Sequence, residues 1–527
     1  MVGFLLLLLS LVLSAPQGLH AQDPPDREMG PEPYVVGTSL PPVEGDREMV
    51  SLSLEDAIEI ALDNNLDLRS ARLAPEMQEY TLRAARAAFN PTLSSQLGYN
   101  SATNQSTSQL EGGGTITTDR QTFNMSLGQP VPWYGGQLNA NFNNARTATD
   151  NIFATRNPSY NSTVSFSYTQ PLLQGRRIDN QRNALRTQEM QREISDVQLR
   201  NQIDNLSAQV RIAYWNLRSQ IEQIEIQRRS LSQAEQLLAN NRIRVQQGTM
   251  VEMELAQAEA QVASAEQALL NAEIQWRTQQ LNFQRLLASG AGDPIFDVVI
   301  NPVDLPAFEP QDVDIDAAIR TALQNRPDLI QQSMQREISL MDLEVTRDNA
   351  RPNLNLTASY SLQGVGGDVF EREGLGGEPQ LIQPGGYMDG LSSIANFDTP
   401  TFNLALNFSY PIGTRASQLN LERARLQLRQ TEMALEAQEL QVTTEVTNAG
   451  MAVTNSFLQL EAARRSREAA ERSAEAELTR FNVGASTNFQ VVAAQDNLTS
   501  IRLSELRAII DYINAIAEFQ RVQGLGY

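Results

Sequence analysis

Across 527 residues the chain carries 62 acidic against 41 basic side chains, every one of the latter Arg, and the net charge of -21 would repel a nucleic-acid backbone. It has no Cys and a single His, His20, which excludes a disulfide framework and a lipid-bearing N-terminal cysteine. With His20 inside the presumed signal, the mature chain lacks both residue types that most nucleophile, base and transition-metal sites depend on, so no enzyme, cofactor or metal site is expected; a carboxylate-dependent hydrolase is the enzymatic reading that stays open.

In chain order, residues 1–21 contain an apolar run from Phe4 to Leu13, too short to span a bilayer and of the length of a secretory core. They are read as an export signal cut after Ala21. Residues 22–50, rich in Pro, Gly, Asp and Glu, form an extended arm. A first unit covers 51–290, a linker 291–311 and a second unit 312–527. This division rests on an internal repeat: "LEDAIEIALDNNLDL" from Leu54 and "IDAAIRTALQNRPDL" from Ile315 align without gaps at a shift of 261 residues. The alignment pairs Ala57 with Ala318, Ala61 with Ala322, Asp67 with Asp328, Pro91 with Pro352 and Tyr99 with Tyr360. Two copies of one unit follow from it.

Within the first copy, Ser53 and Asp56 make a capping-box pattern ahead of the apolar stripe Leu54, Ile58, Ala61 and Leu62. A second helix runs over 67–90 until Pro91 stops it. The hydrophobic period then switches from 3.6 to 2. Val164, Phe166 and Tyr168 alternate with Ser165, Ser167 and Thr169, as Phe402, Leu404, Leu406, Phe408 and Tyr410 do with Asn403, Ala405, Asn407 and Ser409. These are strands with one apolar and one polar face, each opposite an earlier strand near 93–100 or 354–362. Residues 123–142 read as an additional hairpin turning at 133–136, and 363–390 as a long glycine-rich loop.

Long helices come next, over 176–247 and 415–483. In the first, Leu199, Ile203, Leu206, Val210, Ala213, Leu217, Ile221 and Ile224 follow the spacing of a coiled-coil seam. Val442, Val446, Ala449, Val453, Phe457 and Leu460 repeat it in the second. At 1.5 Å per residue, about 70 residues make a rod on the order of 100 Å long. The chain turns back at Gly248 and Gly484, from which point the copies align at a shift of 236. The returning helices, 251–288 and 489–522, are shorter than the rods, and the helices over 67–90 and 328–350 supply the missing length.

A strand with one apolar face and an open edge must pair onward or aggregate. Lipid outside and water inside would let several chains close a barrel that the helices prolong as a tube. A secreted coiled-coil structural or adhesin-like protein without a pore is the competing reading.

The order helix, strands, rod, tip turn and returning helix, met twice, resembles the TolC family of outer-membrane efflux channels over residues 51–527. The most specific stretches are "ALQNRPDL" from Ala322, "LNFSYPIGTRASQLNLERAR" from Leu406, the tip "RFNVGASTNFQVVAAQ" from Arg480 and its weaker twin "RVQQGTMVEMELAQAEAQ" from Arg244. The resemblance implies a mostly helical homotrimer with a 12-stranded barrel, four strands per chain, on a periplasmic tunnel below the outer membrane of a Gram-negative-type bacterium. It implies docking to a periplasmic adaptor and, through it, to an inner-membrane transporter. The duct would be passive and serve tripartite efflux or type I secretion. Glu254, with Glu252 beside it, and Gln490 fall at the constriction, and Gly248, Thr249, Val483, Gly484 and Ala485 at the docking tips. Phe481 and Ser486 stand where family members close the tip with Tyr and Arg, leaving Arg480, Arg242 or Arg244 as partners for Glu254. The additional hairpin either enlarges the barrel, folds over it or lengthens existing strands.

Overall fold

The structure, a computed structural model, describes residues 38–42, 45, 47–105, 114–305, 310–374, 377–413 and 415–525. The export signal and residues 22–37 of the arm lie outside the described residues. The first half runs β1 (Met49–Leu52), α1 (Leu54–Asn64), α2 (Leu66–Ala87), β2 (Thr92–Gln105), β3 (Thr115–Pro130), β4 (Gln137–Thr149), β5 (Ser159–Pro171), α3 (Asn180–Gln246), α4 (Glu252–Leu287) and β6 (Val299–Pro302). The second runs α5 (Ile315–Asn325), α6 (Pro327–Asn349), β7 (Asn353–Gly366), β8 (Val369–Glu371), β9 (Gln380–Gln383), α7 (Tyr387–Ala395), β10 (Pro400–Ser409), α8 (Ala416–Asn482) and α9 (Asn488–Val522). The two shifts read from the sequence carry the first residue of α1, α2 and β2 onto that of α5, α6 and β7, and the bounds of α3 onto those of α8.

Local chemistry sets these boundaries. Ser53 Oγ accepts from the Asp56 N–H at 3.2 Å to open α1, and Asp314 does the same for Ala317 at 2.9 Å in α5. Both rods are 67 residues long, about 100 Å at 1.5 Å per residue. Each lies between shorter helices, α3 against α2 and α4, α8 against α6 and α9, while contacts of α3 with α6 and α9 join the halves. The seams are where the spacing put them. Val210, Leu217, Ile221 and Ile224 of α3 and Val442, Val446, Val453 and Leu460 of α8 are almost completely buried. Trp276 on α4 and Tyr512 on α9, matched by the shift of 236, are both fully buried.

Two expectations are corrected here, the strand count and the 363–390 loop. The main sheet has six strands, in the order β10-β7-β5-β4-β3-β2, where the resemblance implied four per chain. The additional hairpin, β3 and β4, is paired into the ladder between β2 and β5, with thirteen register pairs to itself from Thr118↔Thr149 to Pro130↔Gln137. The 291–311 linker holds a 3-10 turn, Pro294–Asp297, ahead of β6, which pairs in parallel with β1 at the end of the arm. The 363–390 stretch holds the end of β7, the β8–β9 hairpin and the start of α7.

Glycines explain that last point. A Cβ built on Gly364 would lie 1.8 Å from the Gly390 carbonyl oxygen, and one on Gly366 2.0 Å from that of Gly386. The helix thus sits directly on bare backbone of β7, and any side chain at 364 would displace it. Gly364 follows Leu362 and Tyr360 at the two-residue period, so α7 covers the outer end of the sheet's apolar face.

Candidate functional site: sheet, flanks and tip

The six-stranded ladder carries its side-chain alternation across every strand. Phe402 lies opposite Tyr360, Tyr360 opposite Phe166, Phe166 opposite Ala140, Ala140 opposite Leu127, and Leu127 opposite Leu93. One residue further along, Asn403, Ser359, Ser167 and Asn139 form the opposite face. On β10, Phe402, Leu404, Leu406 and Phe408 are 60 to 68% exposed. A face of aromatic and aliphatic side chains this extensive, backed by neutral hydroxyls and amides, suits lipid on one side and water on the other. Among the described residues no helix is long and apolar enough to cross a membrane.

The chain has two open flanks. One presents the free edge of β2 and, below it, an exposed stripe of α2 made of Leu66, Leu73, Met77 and Tyr80. The other presents the free edge of β10 and an exposed stripe of α8, Leu419, Leu426, Met433 and Leu440, repeating every seven residues. A heptad stripe is the seam of a coiled coil, and among the described residues no helix covers it. On the first flank α4 continues the apolar surface with Leu270, Ile274 and Leu281. The two flanks are unlike, as a heterologous, head-to-tail contact would require.

At the far end of the rods the turns centre on Gly248, φ 71°, and Gly484, φ 80°. Glycine is suited to both turns because helix reversal demands positive φ. Thr249, Val483, Gly484 and Ala485 are exposed, and Val483, Phe489 and Met253 add apolar surface around them. Glu252 and Glu254 occupy the first turn of α4, where their charges face the positive end of the helix dipole. Glu252 is exposed and Glu254 half-buried. Gln490, at the corresponding position of α9, bends back: its Oε1 accepts from the Thr487 N–H at 3.2 Å and from Ser486 Oγ at 2.9 Å.

None of the three Arg residues named for Glu254 contacts it. Arg242 pairs with Glu259 at 3.3 Å and Arg480 with Glu477 at 3.3 Å. Arg244 instead reaches the other rod, donating to the Phe481 carbonyl and to Asn482 Oδ1, both at 3.2 Å, with its guanidinium 4.3 Å from the centroid of the buried Phe481 ring. Ser486 donates to Glu477. The two hairpin tips of one chain are thus clasped by Arg244, a contact whose partners lie 237 and 238 residues away in sequence.

Higher up, Arg326 sits at the joint of α5 and α6. It grips Asp328 with two bonds of 3.0 and 2.6 Å and Glu445 of α8 with one of 2.6 Å. Burial pushes the Asp328 carboxyl up, but the Arg326 fork, the Leu329 N–H and Gln438 outweigh it and hold the group below the ordinary 3.8. Glu445 is likewise held below its usual 4.5, burial being outweighed by Gln441 and Arg326. Groups with depressed folded values release protons on folding, so their stabilisation is complete above the ordinary carboxylate values and is lost as pH falls through the folded ones. The thermal midpoint of the detergent-solubilised protein should therefore fall on acidification below about pH 4. Arg326→Met should flatten that fall; an unchanged acid limb would remove this network from it.

This arrangement, a lipid-suited sheet rooted on paired rods about 100 Å long with open flanks, defines a channel-forming class of outer-membrane protein. Residues 134–289 and 318–524 match the family model described as outer membrane efflux protein. The chain belongs to the outer membrane efflux protein family, whose members form channels and are not enzymes. Its function is outer-membrane efflux and its place the outer membrane.

Solved structures agree on the fold. A membrane protein from Pseudomonas aeruginosa matches with a TM-score of 0.66 and 16% identity, covering 90% of each chain. The Campylobacter jejuni CmeC outer membrane channel matches at 0.64 and 16% identity over 90% of this chain and 86% of that one. The outer membrane protein VceC from Vibrio cholerae matches at 0.63 and 13% identity over 89% and 96%. The comparison with curated proteins found no match.

Proposed function

We propose that three copies of this chain, each built from one duplicated unit, join head to tail into a barrel and helical tunnel. The assembly acts as the passive exit duct of a tripartite efflux or secretion system. The observation that carries this reading is the pair of unlike flanks: a free strand edge stands above an exposed apolar helix stripe on each. Closing a ring satisfies both kinds of surface at once, the edges by hydrogen bonding and the stripes by burial. The mature duct would span the outer membrane with its tunnel in the periplasm. Its tips, around Gly248, Thr249, Val483, Gly484 and Ala485, would dock a periplasmic adaptor through their exposed turns, and an inner-membrane pump would act through that adaptor.

At the narrow end, Glu254 with Glu252, and Gln490 in the second copy, would ring the constriction. Three chains would bring six carboxylates from Glu252 and Glu254 around one axis, and ringed carboxylates favour cations and hold back anions. The test is a purified sample in detergent and in a planar bilayer. A heat-sensitive trimer giving cation-selective current is expected, with Glu254→Gln lowering that selectivity and the block by divalent cations. A folded monomer that leaves lipid vesicles sealed would overturn the duct and leave the pore-less structural protein.

A further inference from the structure

We propose that the β3–β4 hairpin is part of the barrel wall, so that three chains close eighteen strands instead of twelve and enclose a wider lumen than four strands per chain would. This rests on the trimeric reading above and adds to it.

Several observations place the hairpin in the wall. Its strands are 16 and 13 residues long, more than the 9–11 a tilted strand needs to cross a bilayer. They are paired on both sides, β3 with β2 and β4 with β5, over their length. Leu127, Ala140 and Phe142 continue the apolar face, while Asn124, Asn139 and Asn141 continue the polar one. A flap folded over a barrel would have no reason to keep this alternation.

The hairpin's inner turn is also fixed to the junction between sheet and rod. Gln170 Nε2 donates to the Tyr134 carbonyl at 2.8 Å, and Arg176 lies over the Tyr134 ring. Gly135, at φ 68°, packs so closely that a Cβ there would lie 2.4 Å from the Gly175 carbonyl oxygen.

Closure and width are consistent with six strands per chain. Every pairing in the sheet is antiparallel, so with an even number of strands β2 and β10 run in opposite directions. The β2 edge of one chain can therefore meet the β10 edge of the next in the antiparallel sense shared by all other pairs. Six strands about 4.8 Å apart and tilted by about 40° cover ~38 Å of circumference, against ~25 Å for four. Four adjacent helices with axes about 9–10 Å apart cover ~36–40 Å. The six-stranded sheet is thus about as wide as the helical layer beneath it. Barrels of 16–18 strands leave an open aqueous channel, so flow would be limited at the helical tip and not in the membrane.

Because the chain has no Cys, engineered pairs report cleanly. Asn141 and Ser165 are register partners across the β4–β5 join, on the polar face. In outer-membrane vesicles, N141C/S165C should oxidise within one chain. Ser94→Cys on β2, combined with Cys at Asn403, Ala405 or Asn407 on β10, should give cross-linked dimers and trimers. The second readout is the size of thiol-reactive polymer that reaches S167C from outside. Its limiting diameter should be about 1.5-fold larger in the full chain than in a variant lacking residues 115–149, since barrel diameter grows about linearly with strand number. An intersubunit ladder without the N141C/S165C bond overturns the eighteen-stranded wall alone. Loss of the ladder overturns the trimeric reading with it. If the deletion variant does not assemble, the cross-links still decide.

Discussion

Arg218→Ala should lower the unfolding free energy of the helical body by about 3–5 kcal/mol, the usual result of removing one partner of a buried ion pair. Arg218 and Glu222 lie one turn apart on α3 at 3.0 Å, with side chains only 5% and 1% exposed. Their contacts reach beyond α3. Glu222 accepts from the Ser39 N–H at 3.2 Å and from its Oγ at 2.7 Å, while Arg218 donates to the Ser39 carbonyl at 3.0 Å and the Pro302 carbonyl at 2.9 Å. The pair therefore ties the arm and the end of β6 to the rod. Removing the guanidinium leaves a carboxylate with little access to water and two carbonyls without their donor. The double variant R218M/E222L should cost clearly less than R218A, because no charge is stranded. Denaturant midpoints in detergent measure both. If R218A unfolds at the wild-type midpoint, the pair is not desolvated. Protease sensitivity at 38–42 should rise in R218A, since Ser39 loses a partner.

Local periodicity made the helical architecture legible. Leu217, Ile221 and Ile224, or Val442, Val446 and Val453, declare a buried stripe whatever lies against it, and Gly248 and Gly484 mark the reversals. Glu252, Glu254 and Gln490 fall just past those reversals, in the first turns of α4 and α9. What Gln490 does locally, capping its own helix, depends on Ser486 and Thr487 being turned toward it. The strand count was less legible because pairing is not local. Ala140 and Met125 give only a weak alternating signal, and the continuous face appears once the register sets Ala140 beside Phe166 and Met125 beside Phe142. The glycines at 364, 366 and 390 misled for a physical reason. Gly reads as a loop former, but here its missing side chain admits α7 onto the sheet. Arg244 misled because closeness in sequence favoured an acid on its own hairpin. The two rods end together at the tip and instead bring it to the last carbonyls of α8, where a cation also meets the negative end of a helix dipole.

Trp276→Ala is expected to cost about 3–5 kcal/mol, and Trp276→Phe much less. The indole is fully buried in the cluster formed by Tyr214, Leu217, Phe283 and Leu287, where α1, α3 and α4 meet. Tyr214 and Phe283 pack edge-to-face, with centroids 6.0 Å apart, in the same cluster. Truncation to Ala leaves a cavity between long helices that are held on several sides and can collapse little, the condition under which cavity costs are largest. Phe keeps most of the volume. It also removes the Nε1–H, which is buried with no acceptor among the described residues, so the swap relieves an unpaired donor. Tyr512, in the corresponding place of the second half, is different: its hydroxyl accepts from the Gln311 N–H at 3.2 Å, and its ring lies 5.4 Å from Phe457. Tyr512→Phe therefore removes a bond that Trp276→Phe does not. Helix unfolding followed by circular dichroism should rank the variants W276F nearest to wild type, then Y512F, then W276A. A W276F midpoint as low as that of W276A would mean the indole N–H has a partner and contributes as much as the ring's volume.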